Sequence, residues 1–367
     1  MLYYFFDYLT QFYSGFDVFR YLTLRIILSA LTALTLSLLF GPIIINHLKS
    51  KGLYQSIRDD GPKSHLTTKS ETPSMGGTII IFSVLASTLL WSDILNDNIW
   101  ILSFILFSFG CIGFYDDYQK YLHSSSDGIS GKFKLALQII FASLATIYIY
   151  KTAFHAIDLS LTIPFVKDYA LYMGFLFIPW SIFVIVGSSN AVNLTDGLDG
   201  LAILPCILIA SAFVLFAYVQ GNFNIANYLL IPYLPDVAEI SIFASAIVGS
   251  GLGFLWYNSY PAQVFMGDVG SLSIGGIIGV VSILIRKELL IPIFCGIFFI
   301  ESLSVIIQVS YFKYTKRKFG QGVRIFKMSP IHHHFQKNGI HESKIVTRFW
   351  IICVFICLLA FVTLKIR

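Results

Sequence analysis

The sequence contains few charged residues. Asp, Glu, Lys and Arg account for 12% of its 367 residues, whereas a soluble protein of this size carries about 25%. Hydrophobic residues account for 56%, in apolar runs of about 20 residues that recur along the chain. Because these runs are continuous rather than alternating, they disfavour a transmembrane barrel and predict an all-α polytopic membrane protein.

Several common kinds of site motif are also missing. The five cysteines lie within apolar runs and have neither CxxC nor zinc-type spacing, so we expect small core or lipid-facing residues. There is no Walker A pattern and no GxGxxG, which argues against ATP hydrolysis and dinucleotide binding. No internal repeat is visible, which weakens the case for a repeat-built transporter. No linker divides the chain, so residues 1–367 are predicted to form a single integral-membrane domain.

Hydropathy predicts about ten membrane-spanning helices. When the loops are assigned to alternate sides, one side carries 17 of the 25 Lys and Arg residues, and the other side, with both termini, carries eight. The positive-inside rule makes the 17-residue side cytoplasmic and places both termini outside, in the periplasm. The predicted spans are 22–46, 75–92, 98–115, 134–151, 171–187, 199–219, 238–257, 270–286, 289–310 and 347–364.

The polar motifs all fall on the predicted cytoplasmic side. They come from five separate connections between spans, and chance would distribute them over both sides. We therefore expect them to assemble into one site. The motifs are TTKSETPSMGG (67–77), FYDDYQK (114–120), NAVNLTDGLDG (190–200), FMGDVGS (265–271) and PIHHHF (330–335).

Two adjacent acids follow the end of the third predicted span. Asp116 and Asp117 lie where a helix C-terminus disfavours negative charge by about 0.3–1 kcal/mol each. A solvated helix end is the simple interpretation, and a bound divalent cation is the other. Asp196, Asp199 and Asp268 add acids on the same side. Oxygen ligands without thiols favour Mg²⁺ or Mn²⁺ over zinc or copper.

Three consecutive histidines, His332, His333 and His334, lie in a basic segment. Successive side chains point about 100° apart on a helix and to opposite sides of a strand, so the three imidazoles are poorly placed to share one ion. A solvated loop remains an alternative, but binding of anionic phosphate oxygens suits the triplet better, and Lys69 could act similarly. Glu301, inside the ninth predicted span, is expected either to line a groove for a polar lipid head or to hydrogen-bond a neighbouring helix.

Together these motifs resemble the phospho-N-acetylmuramoyl-pentapeptide-transferase (MraY) family, one branch of the polyprenyl-phosphate N-acetylhexosamine-1-phosphate transferases. The resemblance covers essentially the whole chain. The aspartate pair and NLTDG mark the wider superfamily, whereas PIHHHF, DGPKSH (60–65) and TPSMGG (72–77) indicate this branch. The chain departs from the family pattern at Glu71 and Ser74, where glycine and threonine are typical.

The resemblance implies a reaction at the inner membrane of a bacterium, the first membrane step of peptidoglycan synthesis. Phospho-N-acetylmuramoyl-pentapeptide would pass from its UDP carrier to undecaprenyl phosphate, giving lipid I and UMP, with Mg²⁺ as cofactor. The implied partners are these two substrates and the lipid bilayer; a homodimer is compatible with the resemblance, and no nucleic acid is expected.

The resemblance also implies roles for individual residues. Asp116, Asp117 and Asp268 would be catalytic, with Asp268 as the Mg²⁺ ligand. Asp116 would deprotonate the lipid phosphate in a direct attack; in the alternative mechanism, Asp268 is a nucleophile that forms a phospho-enzyme. Phe265 would stack on uracil, at ~1–3 kcal/mol. The implied substrate-binding residues are Lys69, Asn190, Asn193, Asp196, Phe265, His332, His333 and His334.

Three other interpretations compete with this one, and the first, a purely structural scaffold, gives no reason for charge-rich motifs to converge. A sister enzyme would use UDP-N-acetylglucosamine, but PIHHHF and DGPKSH argue against it. A cation-coupled transporter should carry ionisable groups near the bilayer midplane on broken helices. Only Glu301 fits that pattern, because the acid clusters lie in loops on one side.

Overall fold

The apolar runs form long helices, because a helix satisfies its own backbone hydrogen bonds inside a bilayer. The computed structural model describes residues 1–54, 72–123, 128–153, 159–163 and 170–364. The helices are α1 (Leu2–Leu9), α2 (Leu22–Ser50), α3 (Gly77–Trp91), α4 (Asp97–Leu122), α5 (Gly131–Thr152), α6 (Phe177–Thr195), α7 (Ile203–Gln220), α8 (Phe223–Leu229), α9 (Ile240–Asn258), α10 (Gly267–Leu284), α11 (Ile291–Phe294), α12 (Gly296–Phe319), α13 (Ile331–Lys337) and α14 (Glu342–Val362). Strands β1 (Ser160–Thr162) and β2 (Ala170–Tyr172) form an antiparallel pair in which Leu161 faces Leu171.

The predicted all-α membrane fold is confirmed. Across the described residues, nine helices are long and apolar enough to cross a membrane, and α3 is a shorter apolar helix of 15 residues. These ten helices follow the ten predicted spans in order. Several run further than predicted, as α4 does by continuing to Leu122 past its acids. Hydropathy ends a span at its first charges, whereas backbone hydrogen bonding continues through them.

Helix α10 lies at the centre of the bundle, and its residues Asp268–Leu284 are all buried. It packs between α4 and α6. At Gly113 of α4, a Cβ atom would overlap the carbonyl oxygen of Asp268, so the two backbones touch only because this position is glycine. This contact places the end of α4 directly beside the start of α10.

Pro42 interrupts the hydrogen bonding of α2 inside the bundle. Proline has no N–H, so the carbonyl of Leu38, four residues earlier, loses its helical partner. The hydroxyl of Tyr257 in α9 donates to that carbonyl oxygen at 2.8 Å. Gly41 makes the room for the tyrosine ring, which a Cβ there would overlap. The freed backbone group is thus satisfied by a neighbouring helix, as the membrane interior requires.

A partly buried ion pair joins the first turn of α2 to the start of α9. The guanidinium of Arg25 donates to Oε1 of Glu239 at 2.7 Å and to Oε2 at 3.0 Å. Helix α9 runs from this pair toward Asn258, near the start of α10. The pair therefore lies at the end of the bundle away from Asp268.

Candidate active site

Two helix ends meet at the acids. Asp117 lies in the last turns of α4, and Asp268 lies in the first turn of α10. The backbone N–H of Asp268 donates to Oδ2 of Asp117 at 2.9 Å, which satisfies one of the free N–H groups of α10. Gly267 has φ +67° and a Cβ there would overlap the same Asp117 oxygen, so both its conformation and its contact favour glycine.

Three carboxylates converge at this junction. One oxygen from each of Asp116, Asp117 and Asp268 lies within 4.8 Å of the others. We call these residues the acid triad. All three are buried, at 3%, 6% and 9% exposure. Burying like charges together is costly unless cations compensate them. The triad offers only carboxylate oxygens, which are the ligands that Mg²⁺ takes.

Two lysines contact the acid triad. Lys120 Nζ lies 2.7 Å from Asp116, 3.3 Å from Asp117 and 3.0 Å from Asp268. Lys134, from the first turn of α5, pairs with Asp268 and lies 3.4 Å from Asp116. The sequence interpretation did not include either lysine among the site residues. A helical spacing of three and four residues from the acids could have indicated Lys120, whereas Lys134 has no local signal.

The loop before α5 covers Asp116 from another side. The backbone N–H of Ile129 donates to Asp116 Oδ1 at 2.8 Å. A Cβ at Gly128 would overlap that oxygen, so the backbone lies directly against the carboxylate. The two oxygens of Asp116 therefore have different surroundings, since Oδ1 accepts from this loop and Oδ2 faces the lysines.

Of the predicted residues on α6, Asn193 reaches the triad and Asn190 does not. With the Asn193 amide turned so that its nitrogen faces the acid, that nitrogen donates to Asp268 Oδ1 at 3.1 Å, and its oxygen accepts from Lys134 at 3.3 Å. The Asn190 amide nitrogen instead donates to Gln138 and to the backbone of α6. Asp196 is half-buried at the end of α6.

The segment before α3 pairs with the segment before α10. Phe265 N–H donates to the carbonyl of Pro73, and the N–H groups of Gly76 and Gly77 donate to the carbonyls of Phe265 and Met266, all at 2.8–2.9 Å. Two of the predicted motifs are therefore joined by their backbones, with the Phe265 side chain half-buried. Lys69 and Glu71 lie outside the described residues.

The three histidines lie on α13, where successive side chains point in different directions. His332 is fully buried, whereas His333 and His334 are only partly buried. His333 Nδ1 lies 2.8 Å from Gln336, and His334 Nδ1 accepts from the Lys327 backbone. Over the parts of the chain that the structure describes, the acid triad is the one group of three side chains spaced to hold a metal ion.

The loop between α6 and α7 is held by hydrogen bonds to several other parts of the chain. Glu342 Oε1 accepts from Asp199 N–H at 2.8 Å, and Asn258 Oδ1 accepts from Gly200 N–H at 3.1 Å. The Asp199 carboxylate accepts from the Ala262 backbone at 3.0 Å. These bonds give Asp199 a structural role in holding the loop, separate from the acid triad.

The chain matches a known protein family. The sequence model of Glycosyl transferase family 4 matches residues 99–286, just over half of the chain. The matched region contains the whole acid triad, both lysines and Asn193. It leaves out PIHHHF, DGPKSH and TPSMGG, the motifs on which the resemblance to the pentapeptide branch rests.

Proposed function

The chain belongs to Glycosyl transferase family 4, a family of polyprenyl-phosphate sugar-phosphate transferases, and from that premise we propose its substrates. The donor is UDP-N-acetylmuramoyl-pentapeptide, the acceptor is undecaprenyl phosphate, and the products are lipid I and UMP. The membrane is the bacterial inner membrane, with the acid triad on its cytoplasmic side. The family and the ten apolar helices of the described residues support a membrane-embedded enzyme with a lipid-linked phosphate acceptor.

The observation that carries this proposal is the acid triad with its two lysines, at the ends of two buried helices. A soluble nucleotide sugar and a lipid phosphate meet where helix ends leave the bilayer. Carboxylates that hold Mg²⁺, and lysines beside them, suit the anionic groups that both substrates bring. A transporter would need its ionisable groups nearer the bilayer midplane.

In the proposed reaction, an oxygen of the lipid phosphate attacks the phosphorus attached to the sugar. A new diphosphate bond forms, the bond to the UMP oxygen breaks, and UMP leaves with the electron pair. Asp116 accepts the proton of the lipid phosphate, and Asn193 and Lys134 orient Asp268. Mg²⁺, held by Asp268 with its triad neighbours, would neutralise the charge that develops on the phosphates.

The nucleotide-sugar would lie between the triad and the half-buried residues around it. Phe265 would stack on uracil, and Lys69, Asn190, Asp196, His333 and His334 would bind and position the rest; His332, predicted with them, is fully buried. A phospho-enzyme formed by Asp268 is the alternative chemistry. The sister reaction with UDP-N-acetylglucosamine is the second candidate, because the family match covers the catalytic core that both branches share.

The test is release of UMP by the purified protein in detergent. UDP-N-acetylmuramoyl-pentapeptide, undecaprenyl phosphate and Mg²⁺ are supplied together, and each is omitted in turn. We expect UMP only when all three are present, and none in EDTA. Asp268→Asn should lower kcat by about 10²-fold or more. Asp97→Asn, at the opposite end of α4, is the matched control and should retain the parent rate.

Turnover of UDP-N-acetylglucosamine in place of the pentapeptide donor would assign the chain to the sister branch. Absence of UMP with either donor, from protein that unfolds cooperatively on heating, would contradict the transferase proposal. Equal loss of activity in Asp97→Asn and Asp268→Asn would mean that the substitutions act through folding rather than through the triad.

A further inference from the structure

Glu301 and His332 are the most deeply buried ionisable pair beside the site. Both side chains are fully buried, and His332 Nδ1 lies 3.2 Å from Glu301 Oε2. The two atoms are close enough for an ion pair, but they are not aligned for a hydrogen bond. Within the described residues, neither the carboxylate oxygens of Glu301 nor the ring nitrogens of His332 form any hydrogen bond. A buried carboxylate is costly without a compensating partner, so each group depends on the other.

The Glu301–His332 pair is one of three contacts by which the segment after α12 is attached to one face of that helix. Thr315 Oγ1 accepts from Val323 N–H at 2.9 Å. Gln308 Oε1 accepts from the N–H groups of Ile325 and Phe326 at 3.1 and 2.9 Å. Since Glu301, Gln308 and Thr315 are seven residues apart, they lie on the same face of the helix.

These three side chains, which we call the polar ladder, determine the path of the chain after α12. All three are buried, whereas the exposed positions of the same helix are largely apolar or basic. The segment 323–332 therefore runs antiparallel to α12 and returns to the level of Glu301, where α13 begins. A polar ladder of this kind has no evident use in a helix that only anchors a protein in lipid, because each polar group must find a partner.

The far edge of the His332 ring lies against the loop between α6 and α7. A Cβ at Gly197 would overlap His332 Nε2. His332 is therefore held between α12 and the loop that follows Asn193 and Asp196. This placement differs from that of His333 and His334, which keep part of their surface exposed.

We propose that Glu301 and Gln308 are positioning residues, which act through His332 and the returning segment to place His333 and His334 over the nucleotide-sugar. His332 then acts as the connection between α12 and the 196–200 loop rather than as a contact with substrate. This inference rests on the proposed function, because it concerns binding of the donor by α13. It gives Glu301 a role other than lining a lipid groove.

The test compares Glu301→Gln, Gln308→Met, His332→Gln and the double variant Glu301→Gln/His332→Gln. Each single variant should raise KM for the nucleotide-sugar about tenfold, with kcat changed less than about threefold, because donor placement is altered and the triad is not. The double variant should have the same KM and Tm as the more affected single variant, because either substitution alone already removes the Glu301–His332 contact. The same variants are heated to measure Tm.

Glu239→Gln is the matched control, since it makes the same substitution at a partly buried glutamate at the opposite end of the bundle. It should lower Tm without raising KM. If the ladder variants lower Tm and leave KM unchanged, the ladder is only structural and the proposal fails. If His332→Gln abolishes kcat with KM unchanged, His332 takes part in the chemistry and the proposal fails as well.

Failure of the proposed function gives a different result. The parent protein would then release no UMP from the pentapeptide donor, before any variant is made. If the parent uses UDP-N-acetylglucosamine, the KM comparison is made with that donor. The Tm coupling between Glu301 and His332 needs no substrate, and additive losses of Tm in the double variant would overturn the pairing itself.

Discussion

At the scale of single residues, the chain places its buried charges in two different ways. In the acid triad, Lys120 contacts all three carboxylates, so the charges are compensated by side chains that remain close to the substrates' expected position. Lys120 and Lys134 are therefore suited to exchange one anionic partner for another when phosphates enter. At Glu288, in contrast, a buried carboxylate has no hydrogen bond to another described residue.

Glu288 gives a pH-dependent stability that can be measured. It lies in the turn after α10, and burial raises the pKa of its carboxyl to about 7, although its own backbone N–H and then Arg286 and Lys287 oppose the shift. The native state holds this proton more tightly than the unfolded chain, whose carboxyl has a pKa near 4.3. The stabilisation is therefore complete below about pH 4.3 and is lost as the pH rises to about 7, by up to about 3 kcal/mol.

We expect Glu288→Gln to remove this loss. The variant should be more stable than the parent at pH 8 and should show a flatter dependence of Tm on pH between about 4.5 and 7. Its UMP release should match that of the parent, because the turn lies at the opposite end of α10 from Asp268. Tm profiles of the two proteins that remain parallel across this range would contradict the prediction.

At the scale of elements, the sequence predicted the helices, which depend on composition, but missed the contacts that depend on which helices approach each other closely. Ten apolar runs became ten helices because the bilayer leaves the backbone little alternative. The convergence of the acids and Asn193 could be predicted because polar motifs at the ends of apolar runs are conspicuous. Lys134 was missed because its contact with Asp268 joins α5 to α10 and leaves no pattern within either helix. The path of the segment 323–332 is likewise set by contacts with another helix.

A substitution that adds one methyl group tests the contact between α4 and α10. Gly113→Ala places a Cβ against the Asp268 carbonyl, where a backbone cannot give way as a flexible side chain would. Overpacking of this kind costs about 1–3 kcal/mol, and it moves the two parts of the acid triad apart. We expect a lower Tm and at least about a tenfold lower kcat.

Gly131→Ala is the control for this substitution. Gly131 begins α5 in the same region of the chain, and a Cβ there meets nothing within 4 Å. The control should keep both the stability and the rate of the parent. Equal activity in the two variants would show that the triad tolerates separation of α4 from α10.

At the scale of the whole molecule, the arrangement of charge has consequences for orientation. The acid triad, the ladder and the histidines lie at one end of the bundle, and the Arg25–Glu239 pair lies at the other. The positive-inside rule predicts that the first end faces the cytoplasm. The proposed donor is a soluble cytoplasmic compound, so the orientation and the proposed function depend on each other.

Cysteine labelling in intact cells tests this orientation. His123→Cys lies just after α4 at the end with the triad, and Leu95→Cys lies between α3 and α4 at the other end; both side chains are exposed. A maleimide that cannot cross the membrane should label Leu95→Cys in spheroplasts and should label His123→Cys only after lysis. The parent, whose five cysteines lie in apolar helices or the turns between them, provides the background. The reverse pattern would place the triad outside, where no cytoplasmic nucleotide-sugar could reach it, and would contradict both the orientation and the proposed reaction.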